Sequence, residues 1–130
     1  MASPVSNTGS SPIAMLGLAS SMARHAATRH ALISQNIANA DTPGYKAKDV
    51  ADFAQVMKTQ MQQGGVGAPG TAFDPMAIIE RPSVGSPNGN SVSLEDELMR
   101  GAKAQHDHQM AVSIYRTTLG LMKTAVGKNL

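Results

Sequence analysis

Apolar positions recur at alternating spacings of three and four over two long stretches, one near each end of the chain. In the first stretch Leu16, Ala19, Ala23, Ala26, His30, Ile33, Ile37 and Ala40 fall on one line. Such spacing averages about 3.5 residues, slightly short of a helical turn, so the stripe stays aligned only when the helix winds left-handedly around a partner. It predicts a helix over residues 13–41, whose Ala-rich first half would let another helix approach closely. In the second stretch Leu94, Leu98, Gly101, Gln105, His108, Val112, Tyr115, Leu119, Met122 and Val126 repeat the pattern. Met110, Ile114 and Leu121 lie beside this line and widen its apolar face. A helix over residues 93–127 follows, with Ser93 as N-cap and Asp96 in the capping-box position. Glu95, Asp96 and Glu97 suit the positive start of that helix.

Both helices would be roughly 40–50 Å long at 1.5 Å per residue. The expected fold class is therefore mainly α, with the long N- and C-terminal helices paired as an antiparallel coiled-coil hairpin. Residues 1–12, rich in Ser, Pro, Asn and Gly, read as a loose arm. Residues 42–92 read as a turn, a short helix and a Gly/Pro-rich linker, all within one domain. The short helix is expected over 49–63, with Val50, Phe53, Met57 and Met61 on one face. Residues 64–90 hold six Gly and four Pro, with one candidate extended piece at 76–80 that Pro82 stops and a turn at 87–90. Two helices can each shield one stripe, but not the flanking Met and Leu, and the surplus calls for neighbours. The alternative is a small bundle closed on itself by the short helix.

Composition sharpens this picture. The chain has 130 residues, enough for one domain. Aromatic residues are only 3% while Met numbers nine, a mixture that suits long helices and adaptable contacts better than a rigid enzyme scaffold. The net charge of +2 comes from interspersed signs without a basic stripe, which argues against nucleic acid. The absence of Cys removes disulfide and thiolate chemistry. Residues 13–23 are mildly apolar but no Lys or Arg precedes them, so a cleaved secretory signal is not expected, and no stretch reaches membrane-span length.

Candidate chemistry is thin. Gly65, Gly67 and Gly70 match the spacing of a dinucleotide fingerprint. That fingerprint needs a strand before it and a helix after it, and here a helical pattern precedes and Pro69 follows. His106 and His108 would point about 200° apart on a helix, and His25 and His30 are five apart, so neither pair chelates well. His30 and His108 are read as seam or seam-edge residues, with His25 and His106 solvated. No nucleophile elbow occurs, and the carboxylates suggest no pair in a pocket. No catalytic, cofactor-binding or metal residue is assigned.

The sharpest local signal is residues 34–46. Pro43 pushes Thr42 out of helical geometry, so the helix should end by about Asp41. Asn39 is expected to take the left-handed conformation that often closes a helix. Thr42, Pro43, Gly44 and Tyr45 have the chemistry of a type II turn, which would fold Tyr45 back beside the helix end. Any helix stop could share these properties.

This segment resembles the signature of the flagellar basal-body rod and hook proteins, which runs close to S-x-N-I-A-N-x-x-T-P-G-Y-K. Ser34, Asn36, Ile37, Ala38, Asn39, Thr42, Pro43, Gly44, Tyr45 and Lys46 match it in order. Asp41 and the later run Gly89, Asn90, Val92, Leu94, Glu95 and Glu97 resemble the proximal-rod members, and the likeness spans about residues 14–127. The resemblance implies a structural subunit of the periplasmic rod in the basal body, without cofactor. It would be exported without a cleaved signal and would transmit torque around the export channel. Its implied partners are other copies, other rod subunits, a FliE-type adaptor and the flagellar export gate. The interface would use Leu16, Ala23, Ala26, Ile33 and Ile37 of one helix with Leu98, Val112, Tyr115, Leu119, Met122 and Val126 of the other. A soluble helical adaptor or export chaperone would share the amphipathic ends.

Overall fold

The computed structural model describes residues 11–62, 76–82 and 87–127. The elements in order are α1 (Pro12–Ala38), β1 (Lys48–Val50), α2 (Phe53–Gln62), β2 (Ile78–Glu80) and α3 (Leu94–Gly127). Ser11 caps α1 by accepting from the Ala14 amide at 3.1 Å, and Pro12 occupies the first turn, where no amide partner is required. Ser93 caps α3 in the expected place, its Oγ accepting from the Asp96 amide at 3.4 Å.

α1 and α3 pair along their lengths as an antiparallel hairpin. Asn36 meets Glu97, Ile33 lies beside Gly101, and Ala26 and His30 lie across from Ala104 and His108. Two columns at sevenfold spacing are buried between them, Ala19, Ala26 and Ile33 on α1 against Glu97, Ala104 and Ala111 on α3. Small residues in both columns let the backbones come together, and burial of their methyl groups and of Leu32, Val50 and Val56 forms the apolar core.

The middle of the chain departs from expectation at several points. The helix expected over 49–63 begins only at Phe53, because Asp49 and Val50 belong to β1. β1 pairs antiparallel with β2, Asp49 opposite Ile79 and Val50 opposite Ile78, and the Arg81 amide extends the ladder to Ala47 O at 2.8 Å. Of the expected extended piece at 76–80, only its last three residues are strand. In α2 the buried residue is Val56, with Phe53 and Met57 half-buried and Met61 exposed. Most of the expected arm at 1–12 and the glycine string Gly65, Gly67 and Gly70 lie outside the described residues.

Candidate functional site

The signature segment and the later Gly-Asn run, far apart in the sequence, meet at the turn-bearing end of the hairpin. α1 gives way to bonds of tighter pitch, Asn39 N to Asn36 O at 3.2 Å and Ala40 N to Ile37 O at 3.2 Å. Asn39 does not adopt the left-handed conformation expected of it: its φ is −107°. Its side chain closes the helix instead, Nδ2 donating to Gln35 O at 2.8 Å while Oδ1 accepts from the Thr42 hydroxyl. Thr42 to Tyr45 then form the expected turn, closed by Tyr45 N to Thr42 O at 3.2 Å, with Gly44 at φ +74°. The positive angle, rather than space, is what requires glycine there, since nothing lies within 4 Å of where a Cβ would sit.

Asn36 is the centre of this junction and is fully buried. Its Nδ2 donates to Lys48 O at 2.8 Å and to Glu97 Oε2 at 3.1 Å. Its Oδ1 accepts from Lys48 N at 2.9 Å and from the Tyr45 hydroxyl at 3.4 Å. One side chain thus ties α1 to the turn, to β1 and to α3. Asn90 plays the matching part from the other segment. Its Nδ2 hydrogens are shared among the carbonyls of Asn39, Ala40 and Thr42 at 2.7 to 2.9 Å, just past the helix end. Ser91 adds two links, Oγ accepting from Ala47 N at 2.7 Å and its amide donating to Tyr45 O at 3.0 Å.

Charges are buried beside this lock. Arg29 donates through Nε to Asp49 Oδ1 at 3.0 Å, and Arg100 donates to Asp49 Oδ2 at 2.9 Å, so one carboxylate bridges α1 and α3 through β1. Glu97 is fully buried and pairs with Arg81, which follows β2. Burial, and then the like charge of Arg100, push the Arg81 guanidinium below its ordinary pKa, against the opposite pull of Asp49 and Asp96. Arg81 Nε is buried without a hydrogen-bond partner among the described residues. A guanidinium stays protonated throughout the working range, so this environment registers as a cost of burial that Glu97 offsets. His25, expected in solvent, is instead buried: its Nε2 lies 2.6 Å from Ala51 O and its ring packs on Phe53. The sequence carried a signal for this polar layer, because His25, Arg29, Leu32 and Asn36 form a second stripe at helical spacing beside the apolar line.

The residues expected at the helix seam divide into two groups. Ala26 and Ile33 are buried against α3, and Leu16, Ala23, Val112, Leu119 and Met122 are half-buried. Ile37, Leu98, Tyr115 and Val126 are exposed. On α3 the line nearest α1 runs through Glu97, Gly101, Ala104 and Ala111, so Leu94, Leu98 and Leu121 are left exposed. His30 and His108 border an open groove of about 400 Å³ floored by Ala26 and Ala104, while His106 is exposed. Among the described residues there is no cluster of three His, Asp or Glu able to hold a metal ion. No described helix is long and apolar enough to cross a membrane.

The family model for flagella basal body rod protein matches residues 19–46, the run from the first buried alanine of α1 to the end of the turn. The chain is 29% identical over 126 residues to the flagellar basal body rod protein FlgB of Agrobacterium fabrum, spanning 88% of this chain and 94% of that protein. It is 32% identical over 120 residues to FlgB of Salmonella typhimurium, spanning 79% of this chain and 86% of that protein. The chain belongs to the FlgB family of flagellar basal body rod proteins. The family model ends at Lys46, but these relatives carry the likeness well beyond it, as does FlgB of Escherichia coli, 33% identical over 106 residues that span 67% of this chain and 74% of that protein. FlgB membership therefore rests on more than the signature, within which Asn36 bonds Lys48 and Tyr45 while Asn90, from the later run, bonds the carbonyls of Asn39, Ala40 and Thr42. These bonds hold the chain leaving α1 against the segment that returns to α3.

Proposed function

We propose that the chain is a structural subunit of the proximal rod of the bacterial flagellar basal body, with a mechanical rather than a catalytic task. The observation that carries this reading is a helical hairpin whose turn-bearing end is locked by buried polar contacts while large apolar residues on α3 remain exposed. Leu98 is 67% exposed and Leu121 66% exposed, too much apolar surface for so short a chain without neighbours. Contacts between subunits use these residues with Ile37, Tyr115, Leu119 and Val126, repeated heterologously along the rod. Pairs of long helices resist bending, which suits torque transmission around a central export channel. The subunit reaches the rod through the flagellar export apparatus. It meets other copies, other rod subunits, a FliE-type adaptor and the export gate on the way or in place.

Mass spectrometry of detergent-purified basal bodies from the source bacterium tests the reading. Recovery of the chain in stoichiometric amounts supports it. Recovery from the cytosol alone overturns it in favour of a soluble adaptor or export chaperone.

A further inference from the structure

The segment that returns to α3 carries Asn88 and Gly89 immediately before the clamping residue Asn90. After an asparagine, a glycine nitrogen can close on the side-chain Cγ without a Cβ in the way. Asn88 is exposed to water, and Gly89 stands at φ +75°. Both oxygens of Asn88 accept from backbone amides. Oδ1 accepts from Asn90 N at 3.1 Å, a bond that curls the side chain back toward the Gly89 nitrogen. The main-chain oxygen accepts from Gly44 N at 2.9 Å. Lys46 places a positive charge on the other side of the glycine, its Nζ donating to Gly89 O at 3.2 Å.

These donors stand where negative charge develops if the Gly89 nitrogen attacks Asn88 Cγ. Loss of the Gly89 amide proton spreads charge onto the Asn88 main-chain oxygen, which the Gly44 amide meets. Attack then moves charge to Oδ1, which the Asn90 amide meets. Fixed donors aimed at developing oxyanions lower a barrier without reorganising. Asn90 supplies the contrast. Its Oδ1 makes the equivalent bond to Val92 N at 2.8 Å, but Asn90 is buried and is followed by Ser91, which carries a Cβ.

We propose that Asn88 is a self-modification site, converting to aspartate and isoaspartate, and that the isoaspartyl form releases the lock at the turn-bearing end. Gly89 N gives its proton to hydroxide and bonds to Asn88 Cγ. The Cγ–Nδ2 bond breaks, and Nδ2 leaves as ammonia with a proton from water. Water then opens the cyclic imide, at Cγ to give aspartate or at the main-chain carbonyl to give isoaspartate. The net reaction consumes one water and releases one ammonia, with no oxidant, metal or enzyme.

The two products differ in what they do to the fold. Aspartate keeps an oxygen that accepts from Asn90 N, so the turn survives. Isoaspartate inserts a methylene into the main chain, a displacement of about 1.5 Å, and turns the oxygen bonded by Gly44 into part of a side carboxylate. Gly89 packs closely there, since a Cβ on it would stand 3.5 Å from Gly44 Cα. Asn90 follows directly, and its grip on the carbonyls of Asn39, Ala40 and Thr42 depends on distances of 2.7 to 2.9 Å. The chemistry needs neither rod nor partner, so its outcome is independent of the rod reading.

Ageing of the folded full chain in mildly alkaline buffer, followed by peptide mass mapping that separates isoaspartate from aspartate, tests this. Conversion at Asn88 is expected to be at least about tenfold faster than at Asn36, Asn39 or Asn90. The isoaspartyl fraction, separated by ion exchange, should show a thermal midpoint lower by about 5 °C or more in circular dichroism. Asn88→Asp, which reproduces the aspartyl product, should match the fresh chain. Gly89→Ala should slow conversion by at least about tenfold. Because its positive φ strains an alanine, Asn88→Gln serves as the second control, expected to keep the fresh midpoint and to show no conversion at that position. Conversion at Asn88 only after unfolding in urea overturns the proposal, because the turn then protects the site. An isoaspartyl chain as stable as the fresh one overturns the release of the lock.

Discussion

Asn36 shows how much one amide can hold when water is excluded. Its four hydrogen bonds reach Lys48 at both backbone atoms, Glu97 on α3 and the Tyr45 hydroxyl. Truncation to alanine strands the Lys48 peptide and one Glu97 oxygen in a dry site. Asn36→Ala is therefore expected to lower stability by about 2–4 kcal/mol, read from urea denaturation followed by circular dichroism. Asn36→Asp should be at least as damaging, because it replaces the donor with a second carboxylate facing Glu97. The type II turn and the position of Tyr45 were legible in the Pro-Gly pair, since their backbone requirements are local. The conformation of Asn39 was not, because its side chain found Gln35 O and Thr42 and removed any need for a left-handed cap.

Between elements, the structure relies on charges at Asp49, Arg81 and Glu97, where the pattern of apolar residues gave no warning. The heptad spacing foretold that α1 and α3 would pair, and Ala19, Ala26 and Ile33 of the α1 line are buried between them. It did not foretell that Glu97 would sit inside the α3 line, because an acid in a first helical turn has an ordinary explanation at the surface. Its partner Arg81 arrives from β2, distant in sequence, and only folding brings the two together. Glu97→Ala should lower stability by about 2–4 kcal/mol, since it leaves a partly buried guanidinium unpaired and removes an acceptor of Asn36 Nδ2. The double change Arg81→Met with Glu97→Met should be markedly milder, and the coupling between the two measured in a double-mutant cycle should be large. Independent, additive losses would show that the pair does not act as a unit.

For the whole molecule, the inward and outward apolar positions should separate folding from assembly. Ile33 is buried between the long helices, so Ile33→Asp is expected to abolish cooperative helix unfolding in the isolated chain. Leu98→Asp changes an exposed site, should alter stability by no more than about 0.5 kcal/mol, and should nevertheless prevent rod assembly and swimming. Circular dichroism and motility assays of both variants check this division. Normal swimming by Leu98→Asp would remove Leu98 from the assembly surface.

The sequence by itself determined the two long helices, the Ser93 cap, the turn after α1 and the family to which the chain belongs. Each depends on local spacing, on the restricted angles of Pro and Gly, or on a contiguous motif. Only the tertiary structure decided which side of α3 faces inward, that residues 48–50 form a strand rather than a helix start, and that His25, Asp49 and Glu97 are buried. Those outcomes depend on partners supplied from elsewhere in the chain: β2 for the strand, Ala51 for His25, Arg29 and Arg100 for Asp49, and Arg81 for Glu97. A polar residue is legible as buried only once the group that satisfies it has been brought alongside, and periodicity carries no record of that meeting.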